Sequence, residues 1–289
     1  MTQGDYDRHK QLVRAFDADY LCDMGGELSV AYLDREPPVK GGLEATTSGL
    51  NVLRDHTITF PIFEWNSIPL KDRLENRFHV GNEVWPVFSH VTWMNLFRRS
   101  VLVVGFGPVG KGIAVRARDL GALVYVADLD AVRLTEAQHH GCAPVSLEKG
   151  LARCQIVVSA TGVEGVVGEA HLRQARPGTI FFNAGHSNRE IDIDWLYGQP
   201  YQRVRAHIER FDLDGTHIYL LAKGSLLNLA AGTGATGADL FDLYTAVMLR
   251  GISWLFDGGA EGVPPGVQPY PSDLEQEIAR LSVELYGEI

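Results

Sequence analysis

The chain has 289 residues, with 26 Lys and Arg against 36 Asp and Glu, so its formal net charge at pH 7 is −10. This length suggests two domains, and the acidic balance disfavours a function that depends on broad contact with nucleic acid phosphates. No stretch reaches the roughly 20 apolar residues that a membrane helix needs, and the polar N-terminus lacks a signal peptide pattern. We therefore expect a cytoplasmic protein without nucleic acid or membrane partners.

The three cysteines, Cys22, Cys142 and Cys154, lie far apart in the sequence. Disulfide frameworks and zinc sites in short chains show paired cysteine spacings, which are missing here. The sequence therefore predicts neither a disulfide nor a metal site, and it fits a reducing compartment.

In chain order, the region before residue 98 is rich in turn signals, and its pattern does not define a fold. Between residues 98 and 230, short β-rich runs alternate with segments of helical period, which is typical of a parallel sheet flanked by helices. The predicted strands are residues 100–105, 122–128, 155–160 and 179–183. The helices between them are predicted to end at Gly121 and Gly141, because glycine tolerates the left-handed conformation that often closes a helix.

Two more helices are predicted after this core. Residues 237–256 carry apolar residues at helical spacing, over a length that suits a helix between domains. A last helix is predicted to begin at Ser272, because Glu275 follows three residues later and the pair would form a capping box.

The first predicted strand leads into Gly105-Phe106-Gly107-Pro108-Val109-Gly110-Lys111-Gly112, which opens a helix. A G-x-G-x-x-G pattern in this context is typical of a dinucleotide site. Its glycines permit the tight turn, the approach of a pyrophosphate and close packing of helix on strand, while the helix N-terminus favours phosphate charge. The candidate cofactor residues here are Gly105, Gly107, Pro108, Val109, Gly110 and Lys111.

The next strand ends at Asp128, where a carboxylate would bond the ribose 2′-hydroxyl and repel a 2′-phosphate. NAD is therefore expected rather than NADP. A glycine-rich turn in another α/β domain is the alternative. A phosphate-binding loop of the Walker type is excluded, because Gly112 follows Lys111 where that motif has Ser or Thr.

Six segments, taken in order and spacing, resemble the S-adenosylhomocysteine hydrolase family. They are CDMGGEL, LEATTSG, KDRLEN, GFGPVGKG, FFNAGHSNREIDIDWL and LLAKGSLLNLAAGTG. The resemblance covers most of the chain, but the family's N-terminal substrate region and its C-terminal tail have no counterpart. It implies an α/β fold with a Rossmann-type doubly wound parallel sheet and a second, smaller, truncated domain. The expected divisions are 1–81 on the substrate side, 82–233 as the NAD-binding domain, and 234–289 as helices that return to the substrate side.

The resemblance also implies a reaction that is redox-neutral overall. In that family a tightly held NAD oxidises the ribose 3′-hydroxyl to a ketone, which acidifies the 4′ hydrogen and lets the 5′ substituent leave by β-elimination. Water then adds, and the cofactor returns its hydride. We therefore expect NAD as the cofactor and a small nucleoside-like molecule as the substrate.

Residue roles follow from the same resemblance. It implies catalytic roles for Lys71, which helps to deprotonate the hydroxyl, for Glu75 in place of an aspartate, and for His186 and Asp23. The remaining residues matched to the dinucleotide are Thr46, Thr47, Ser48, Asn76, Thr161, Ala184, Gly185 and Asn228. Simpler interpretations stay open, because Lys and Glu four residues apart often form a solvated helix pair, and the Thr-Thr-Ser run could be a turn or helix cap.

Three positions depart from the family pattern. Met24 replaces the second aspartate of the acidic turn, Ala45 replaces a glutamate that holds the ribose hydroxyls, and Ala235 replaces a histidine. The resemblance thus implies that the cofactor residues are retained and that several substrate residues are not. We expect a differently substituted sugar and an elimination with or without the later addition of water. The reaction would be that of a lyase if it stops after elimination, a dehydration if a 5′-hydroxyl leaves, and that of a hydrolase if water adds.

Two other interpretations remain open. A dehydrogenase of a small hydroxy acid would share the dinucleotide fold and would convert free NAD to NADH. A catalytically silent NAD-binding paralogue that regulates a partner would explain the replaced substrate residues, although Lys71, Glu75 and His186 disfavour it. We also expect a homo-oligomer, preferably a dimer, because the related family forms oligomers and apolar surface would otherwise be exposed.

Overall fold

A computed structural model describes residues 3–186, 188–232 and 241–287. The chain divides into two compact units, one made of residues 1–72 and 239–289 and the other of residues 73–238. From the sequence, the corresponding boundaries are expected after residues 81 and 233. Ala235, one of the three departures from the family pattern, lies outside the described residues.

The described strands are β1 (Tyr20–Asp23), β2 (Gly41–Glu44), β3 (Pro61–Glu64), β4 (Ser100–Val104), β5 (Leu123–Ala127), β6 (Ala143–Pro144), β7 (Ile156–Ser159), β8 (Thr179–Asn183), β9 (Tyr201–Arg205), β10 (Ile208–Leu213), β11 (Thr216–Leu221) and β12 (Gly266–Pro269). The α-helices are α1 (Gln3–Arg14), α2 (Glu27–Ala31), α3 (Thr47–Arg54), α4 (Gly81–Thr92), α5 (Pro108–Asp119), α6 (Ala131–His139), α7 (Leu147–Arg153), α8 (Glu169–Gln174), α9 (Ile193–Tyr197), α10 (Leu227–Ala230), α11 (Asp242–Phe256) and α12 (Ser272–Tyr286). A π-helix covers Leu70–Val80, and a 3-10 turn covers Ala222–Gly224.

The first unit is built on a parallel sheet with the order β1-β2-β3-β12. Its core is apolar and includes Leu43, Trp65 and Leu255, with the ring of Phe63 packed edge-on against Trp254 at 4.7 Å. The pairing register places the last residues of β1, β2 and β3 side by side. Three carboxylates, those of Asp23, Glu44 and Glu64, therefore belong to the carboxyl edge of this sheet.

The second unit contains a larger sheet with the order β6-β5-β4-β7-β8-β11-β10-β9. The strands from β6 to β11 pair in parallel, and β10 pairs antiparallel with both β11 and β9. The chain starts at β4, moves outward through β5 and β6, and then crosses to β7 on the other side of β4. This reversal makes a doubly wound, Rossmann-type sheet, with its switch point between β4 and β7. The predicted fold class is confirmed.

The four predicted strands of the second unit agree with the structure to within one residue at each end. Each of the four predicted strands has an observed counterpart in β4, β5, β7 or β8. The two glycines predicted to close helices have positive φ angles, 83° at Gly121 and 71° at Gly141. Strand prediction worked here because all four strands are rich in β-branched or aromatic residues and because nearly every residue of β4, β7 and β8 is buried.

The prediction for the last helix is wrong in its capping. Ser272 is the first residue of α12 and Pro271 precedes it, without a side-chain cap. The buried carboxylate of Glu275 instead accepts the backbone N–H of Leu70 at 2.9 Å. This acceptor satisfies a donor at the start of the π-helix, so a tertiary contact has replaced the local one.

The helix that carries Lys71 and Glu75 is a π-helix, and the boundary between the two units falls within it. Such i→i+5 helices are rare and are frequently found at functional sites. Among the helices of the described ranges, none combines the length and the apolar character needed to cross a membrane.

Candidate functional site

The glycine-rich turn of the second unit is held by backbone contacts that only glycine allows. Gly105 has a φ of 91°, and its N–H donates to the carbonyl of Ala127 at 2.8 Å. A Cβ at Gly110 would overlap the carbonyl oxygen of Gly105. Gly107 precedes α5, whose first residue is Pro108, as suits a helix start. The turn is therefore shaped by its own backbone.

The surface of the turn is open beside Gly107. A Cβ built on Gly107 would meet one atom within 4 Å among the described residues, the Nη1 of Arg133 at 4.0 Å. The surface of the turn is thus open at the place where the sequence pattern requires close approach of a ligand. The adjoining N-terminus of α5 favours negative charge.

Asp128 directly follows β5, and its carboxylate holds the glycine-rich turn by hydrogen bonds. Its Oδ2 accepts the N–H of Phe106 at 2.6 Å, and its Oδ1 accepts the N–H of Asp130 at 2.9 Å. The Nη1 of Arg133 lies 3.8 Å from the same Oδ2. The carboxylate is therefore fixed beside the glycine turn, where the sequence analysis expects it to meet a ribose.

Lys111 lies in the first turn of α5 and forms an ion pair with Glu136 of α6, with 2.6 Å between Nζ and Oε1. A hydrogen bond from Lys111 lowers the pKa of the Glu136 carboxyl below its ordinary value. The predicted role of Lys111 in cofactor binding stays a prediction, because the described contact is with α6.

The loops after β7 and β8 are joined by one residue that the sequence analysis missed, Glu190. Its fully buried carboxylate accepts hydrogen bonds from Thr161 in the first loop and from the backbone N–H of His186 in the second. The His186 side chain itself is exposed. Ala184 and Gly185 complete the second loop, so four of the residues assigned to the site lie in loops that meet at Glu190. Its neighbours in sequence do not distinguish it from an exposed glutamate.

Asn228 supplies a buried polar group that fits a ligand. It lies in the short helix α10, and its Nδ2 is 3.5 Å from Oε2 of Glu83, which is also buried. Its Oδ1 atom has no hydrogen-bond partner among the described residues. A buried acceptor without a hydrogen-bond partner needs a donor, and the carboxamide NH₂ of a nicotinamide ring could supply one. Asn76, also assigned to NAD, lies half-buried in the π-helix.

In the first unit, the buried residue Glu44 connects the turn at Gly25 and Gly26 with Thr46 at the start of α3. The carboxylate of Glu44 accepts hydrogen bonds from the N–H groups of Gly25 and Gly26, at 3.2 and 3.0 Å. It also accepts the N–H and the hydroxyl of Thr46, each at 2.7 Å. Burial raises the pKa of the Glu44 carboxyl above its ordinary value. Glu44 was not identified from the sequence, because burial is a property of the folded chain.

The Thr-Thr-Ser run begins helix α3. The Thr46 hydroxyl oxygen accepts the N–H of Gly49 at 2.9 Å and the hydroxyl of Ser48 at 3.1 Å, which makes Thr46 an N-cap. Asn66 donates to the Thr47 hydroxyl at 3.0 Å. The run therefore has the structural role left open by the sequence analysis, and its predicted contact with NAD stays a prediction.

Asp23, a predicted catalytic residue, bonds to backbone amides. Its Oδ1 accepts the N–H of Met24 at 2.8 Å, and its Oδ2 accepts the N–H of Ser29 at 2.7 Å. Ala45, which stands where a family glutamate is expected, is fully buried in the apolar core. In the described part of the chain, no group of three or more His, Cys, Asp or Glu side chains is arranged to hold a metal ion.

Lys71 and Met24 meet at Tyr244, a residue of α11 that the sequence analysis also missed. The Lys71 Nζ lies 4.7 Å from the centre of the Tyr244 ring, and the Tyr244 hydroxyl is 2.8 Å from the sulfur of Met24. The ring of Trp65 packs against Tyr244 at a centroid distance of 4.7 Å. Lys71, which is expected to be catalytic, and Met24, which departs from the family pattern, thus both contact Tyr244.

The sheet order, the glycine turn between β4 and α5, and the carboxylate at the end of β5 define a Rossmann-type dinucleotide-binding protein. The sequence model of one protein family, the NAD-binding domain of S-adenosyl-L-homocysteine hydrolase, matches residues 88–234. S-inosyl-L-homocysteine hydrolase from Methanopyrus kandleri is 30% identical, over 99% of this chain and 70% of the relative. Adenosylhomocysteinase from Thermotoga maritima is 29% identical, over 93% of this chain and 69% of the relative. The chain belongs to the S-adenosyl-L-homocysteine hydrolase family, and NAD is its cofactor.

Among solved structures, D-lactate dehydrogenase from Aquifex aeolicus, complexed with NAD and lactic acid, is similar with a TM-score of 0.45 and 13% sequence identity. That similarity covers 68% of this chain and 71% of the dehydrogenase. Family membership supports an enzyme that acts on a small molecule.

Proposed function

We propose that this chain is an NAD-dependent enzyme that oxidises the 3′-hydroxyl of a nucleoside-type sugar transiently and promotes β-elimination at the 5′ position. Its relatives are named as hydrolases of S-inosyl- and S-adenosyl-homocysteine, which are nucleoside thioethers. We further propose that the reaction ends after elimination, as a lyase or dehydratase reaction. If water adds, the same site would act as a hydrolase.

One observation carries the proposal that water does not add. The carboxylates at the edge of the first sheet are engaged by neighbouring backbone amides, in Asp23 by Met24 and Ser29 and in Glu44 by Gly25, Gly26 and Thr46. Glu64 likewise accepts the backbone N–H and the hydroxyl of Ser67. A carboxylate whose oxygens already accept hydrogen bonds from neighbouring groups has few free lone pairs with which to orient and deprotonate a water. With Met24 and Ala45 at two further positions, this edge favours elimination over hydration.

The proposed chemistry divides between the cofactor and the side chains. NAD, when bound, supplies the acceptor for the sugar's hydride and later its donor. Lys71, in its neutral amine form, would take the proton of the 3′-hydroxyl, and Glu75 would keep the lysine oriented. His186 would move a proton at the 4′ or 5′ position, and its exposed side chain would allow that exchange.

The experiment is to incubate the NAD-loaded protein with nucleosides that carry either a 5′-hydroxyl or a 5′-thioether. Mass spectrometry should detect a product that has lost water or thiol, while absorbance at the NADH band shows no net reduction. The Lys71→Met variant should bind NAD and form no product.

Two other outcomes identify the alternatives. Net accumulation of NADH with small hydroxy acids would indicate a dehydrogenase. A protein that binds NAD and leaves every nucleoside intact would contradict the proposal and favour a catalytically silent paralogue, an alternative that the engaged carboxylates of Asp23 and Glu44 also support.

We also propose that the protein self-associates, with a dimer as the expected state. Several large apolar side chains are exposed in the described residues, including Leu249, Phe256, Val283 and Leu285, and a surface of this kind often marks an interface. Light scattering on a sizing column would measure the mass in solution, and a monomeric mass would contradict this expectation.

A further inference from the structure

We propose that Glu190 is a positioning residue that fixes the loop of Thr161 and the loop of His186 in one arrangement. NAD affinity would then depend on this carboxylate. The second part of the inference, that His186 acts in proton transfer only when Glu190 holds its backbone, rests on the proposed function.

The contacts of Glu190 are unusually many for one side chain. Its Oε2 accepts the Ser159 hydroxyl at 2.5 Å, the Thr161 N–H at 2.9 Å and the Thr161 hydroxyl at 2.8 Å. Its Oε1 accepts the N–H groups of Gly162 and His186, at 3.0 and 2.9 Å. Five donors, one at the end of β7 and four in the two loops, thus converge on one fully buried carboxylate.

The energetics favour a charged acceptor at this position. A buried carboxylate without partners is costly, and hydrogen bonds to a charged group are stronger than those between neutral groups. Every partner described here is a donor, so both oxygens must accept. A glutamine of the same shape would turn its NH₂ group against donors, which would break part of the network.

The local backbone is built around this side chain. A Cβ at Gly185 would overlap the Oε1 atom of Glu190, so glycine is needed for the carboxylate to reach its partners. The backbone adds two links between the same loops, from Gly165 N–H to the Arg189 carbonyl at 2.8 Å and from Val167 N–H to the Glu190 carbonyl at 3.0 Å. The two loops are therefore one connected structure.

The two loops held by Glu190 lie at the edge of the sheet where NAD is expected to bind. The loops follow adjacent parallel strands, β7 and β8, at the carboxyl edge of the sheet. Ligands of doubly wound sheets bind at that edge beside the switch point, which lies next to β7 here. Glu190 does not need to touch NAD in order to act, because it sets the position of Thr161, whose main-chain and side-chain groups it holds.

The test compares two substitutions of Glu190 with a matched control. Glu190→Gln keeps the shape and removes the charge, whereas Glu190→Asp keeps the charge and shortens the reach. Glu164→Gln is the control, because Glu164 lies in the same loop region, is exposed, and is 3.8 Å from Arg189. NAD affinity is measured by calorimetry on protein stripped of cofactor, and folding is checked by circular dichroism.

We expect Glu190→Gln to weaken NAD binding about tenfold or more, the effect of leaving buried donors unpaired. Glu190→Asp should weaken it less, and Glu164→Gln should match the wild type. If Glu190→Gln does not fold, Ser159→Ala gives the answer, since it removes one donor and should weaken NAD binding several-fold. Wild-type NAD affinity in a folded Glu190→Gln protein, or in Ser159→Ala where that protein does not fold, would overturn the proposal.

A second readout separates this inference from the proposed function. With a nucleoside that the wild type converts, Glu190→Asp should change the pH profile of the elimination step at saturating NAD, and Glu164→Gln should not. An unchanged profile would overturn the link to His186. If the wild type converts no nucleoside, the proposed function fails, and the calorimetry still decides the role of Glu190 in NAD binding.

Discussion

The ammonium group of Lys71 lies over the face of the Tyr244 ring, with 4.7 Å between Nζ and the ring centroid. The π-electrons of the ring attract the charge and restrict where the flexible lysine can point. On the same ring, the hydroxyl group lies 2.8 Å from the sulfur of Met24. Tyr244 therefore gives the side chain of Lys71, the proposed base of the reaction, a defined position.

Replacing Tyr244 with leucine should lower the turnover of the elimination reaction by roughly two- to thirtyfold, the range of a lost cation–π contact of about 0.5–2 kcal/mol. Tyr244→Phe keeps the ring and loses only the hydroxyl, so it should retain most of the turnover. Steady-state kinetics of both variants with the same nucleoside make the comparison. Equal losses in both variants would mean that the hydroxyl, and not the ring, is the important group.

Gly110→Ala should remove NAD binding or unfold the second unit. The new Cβ would overlap the carbonyl oxygen of Gly105, and the backbone fixes the positions of both atoms. Gly168→Ala is a matched control, because a Cβ there meets nothing within 4 Å among the described residues and the φ of −89° suits any residue. Calorimetric titration with NAD and thermal unfolding would measure the effect. A Gly110→Ala protein with normal NAD affinity would contradict the role given to this turn.

The sequence predicts the second unit well and the first unit poorly, for a physical reason. In β4 and β7 nearly every residue is apolar and buried, so the runs stand out. The strands of the first unit lie among turn signals and contain polar, glycine or proline residues, as in the Gly-Gly-Leu-Glu of β2, so their pattern is weak.

The candidate site shows the same limit. Motifs and a family resemblance predict candidates such as Gly107 and Lys71, whereas they do not point to Glu44 or Glu190. Their importance comes from burial and from hydrogen bonds to donors that the fold brings together. At Ser272 the sequence predicts a contact that does not form. The local pattern matches a capping box, but the carboxylate of Glu275 accepts a hydrogen bond from the backbone of Leu70.

The ion pair between Lys111 and Glu136 predicts a small pH dependence of stability. Because Lys111 lowers the pKa of Glu136 in the folded state, the pair stabilises the fold above the ordinary pKa of a glutamate. That contribution is lost as the pH falls through the lowered pKa. The Glu136 side chain is 39% exposed, so solvent screening limits the effect to less than about 1 kcal/mol.

Urea unfolding of the wild type and of Glu136→Gln, followed between about pH 7 and pH 3, measures this contribution. The difference in the unfolding midpoint should be present at neutral pH and should shrink in acid. A difference that stays constant over this range would show that the ionised carboxylate is not the cause.

The preference for NAD over NADP should depend on the charge of Asp128 and on its neighbour Arg133. In the wild type the carboxylate would repel a 2′-phosphate, although the guanidinium lies 3.8 Å away. Asp128→Asn keeps an oxygen that can accept the N–H of Phe106 and removes the negative charge, which leaves Arg133 available to a phosphate. We expect the ratio of NAD to NADP affinity to fall about tenfold or more, as for the loss of a hydrogen bond to a charged group.

The double variant Asp128→Asn with Arg133→Ala separates the two contributions to cofactor choice. It should lose the gain in NADP affinity, because the remaining attraction for the 2′-phosphate comes from the guanidinium. NAD affinity should stay as low as in Asp128→Asn alone, since the lost ribose contact is the same. Fluorescence titrations of the three proteins with NAD and NADP measure both effects. If Asp128→Asn lowers the affinities for NAD and NADP equally, the carboxylate supports the glycine turn through Phe106 and does not select the cofactor.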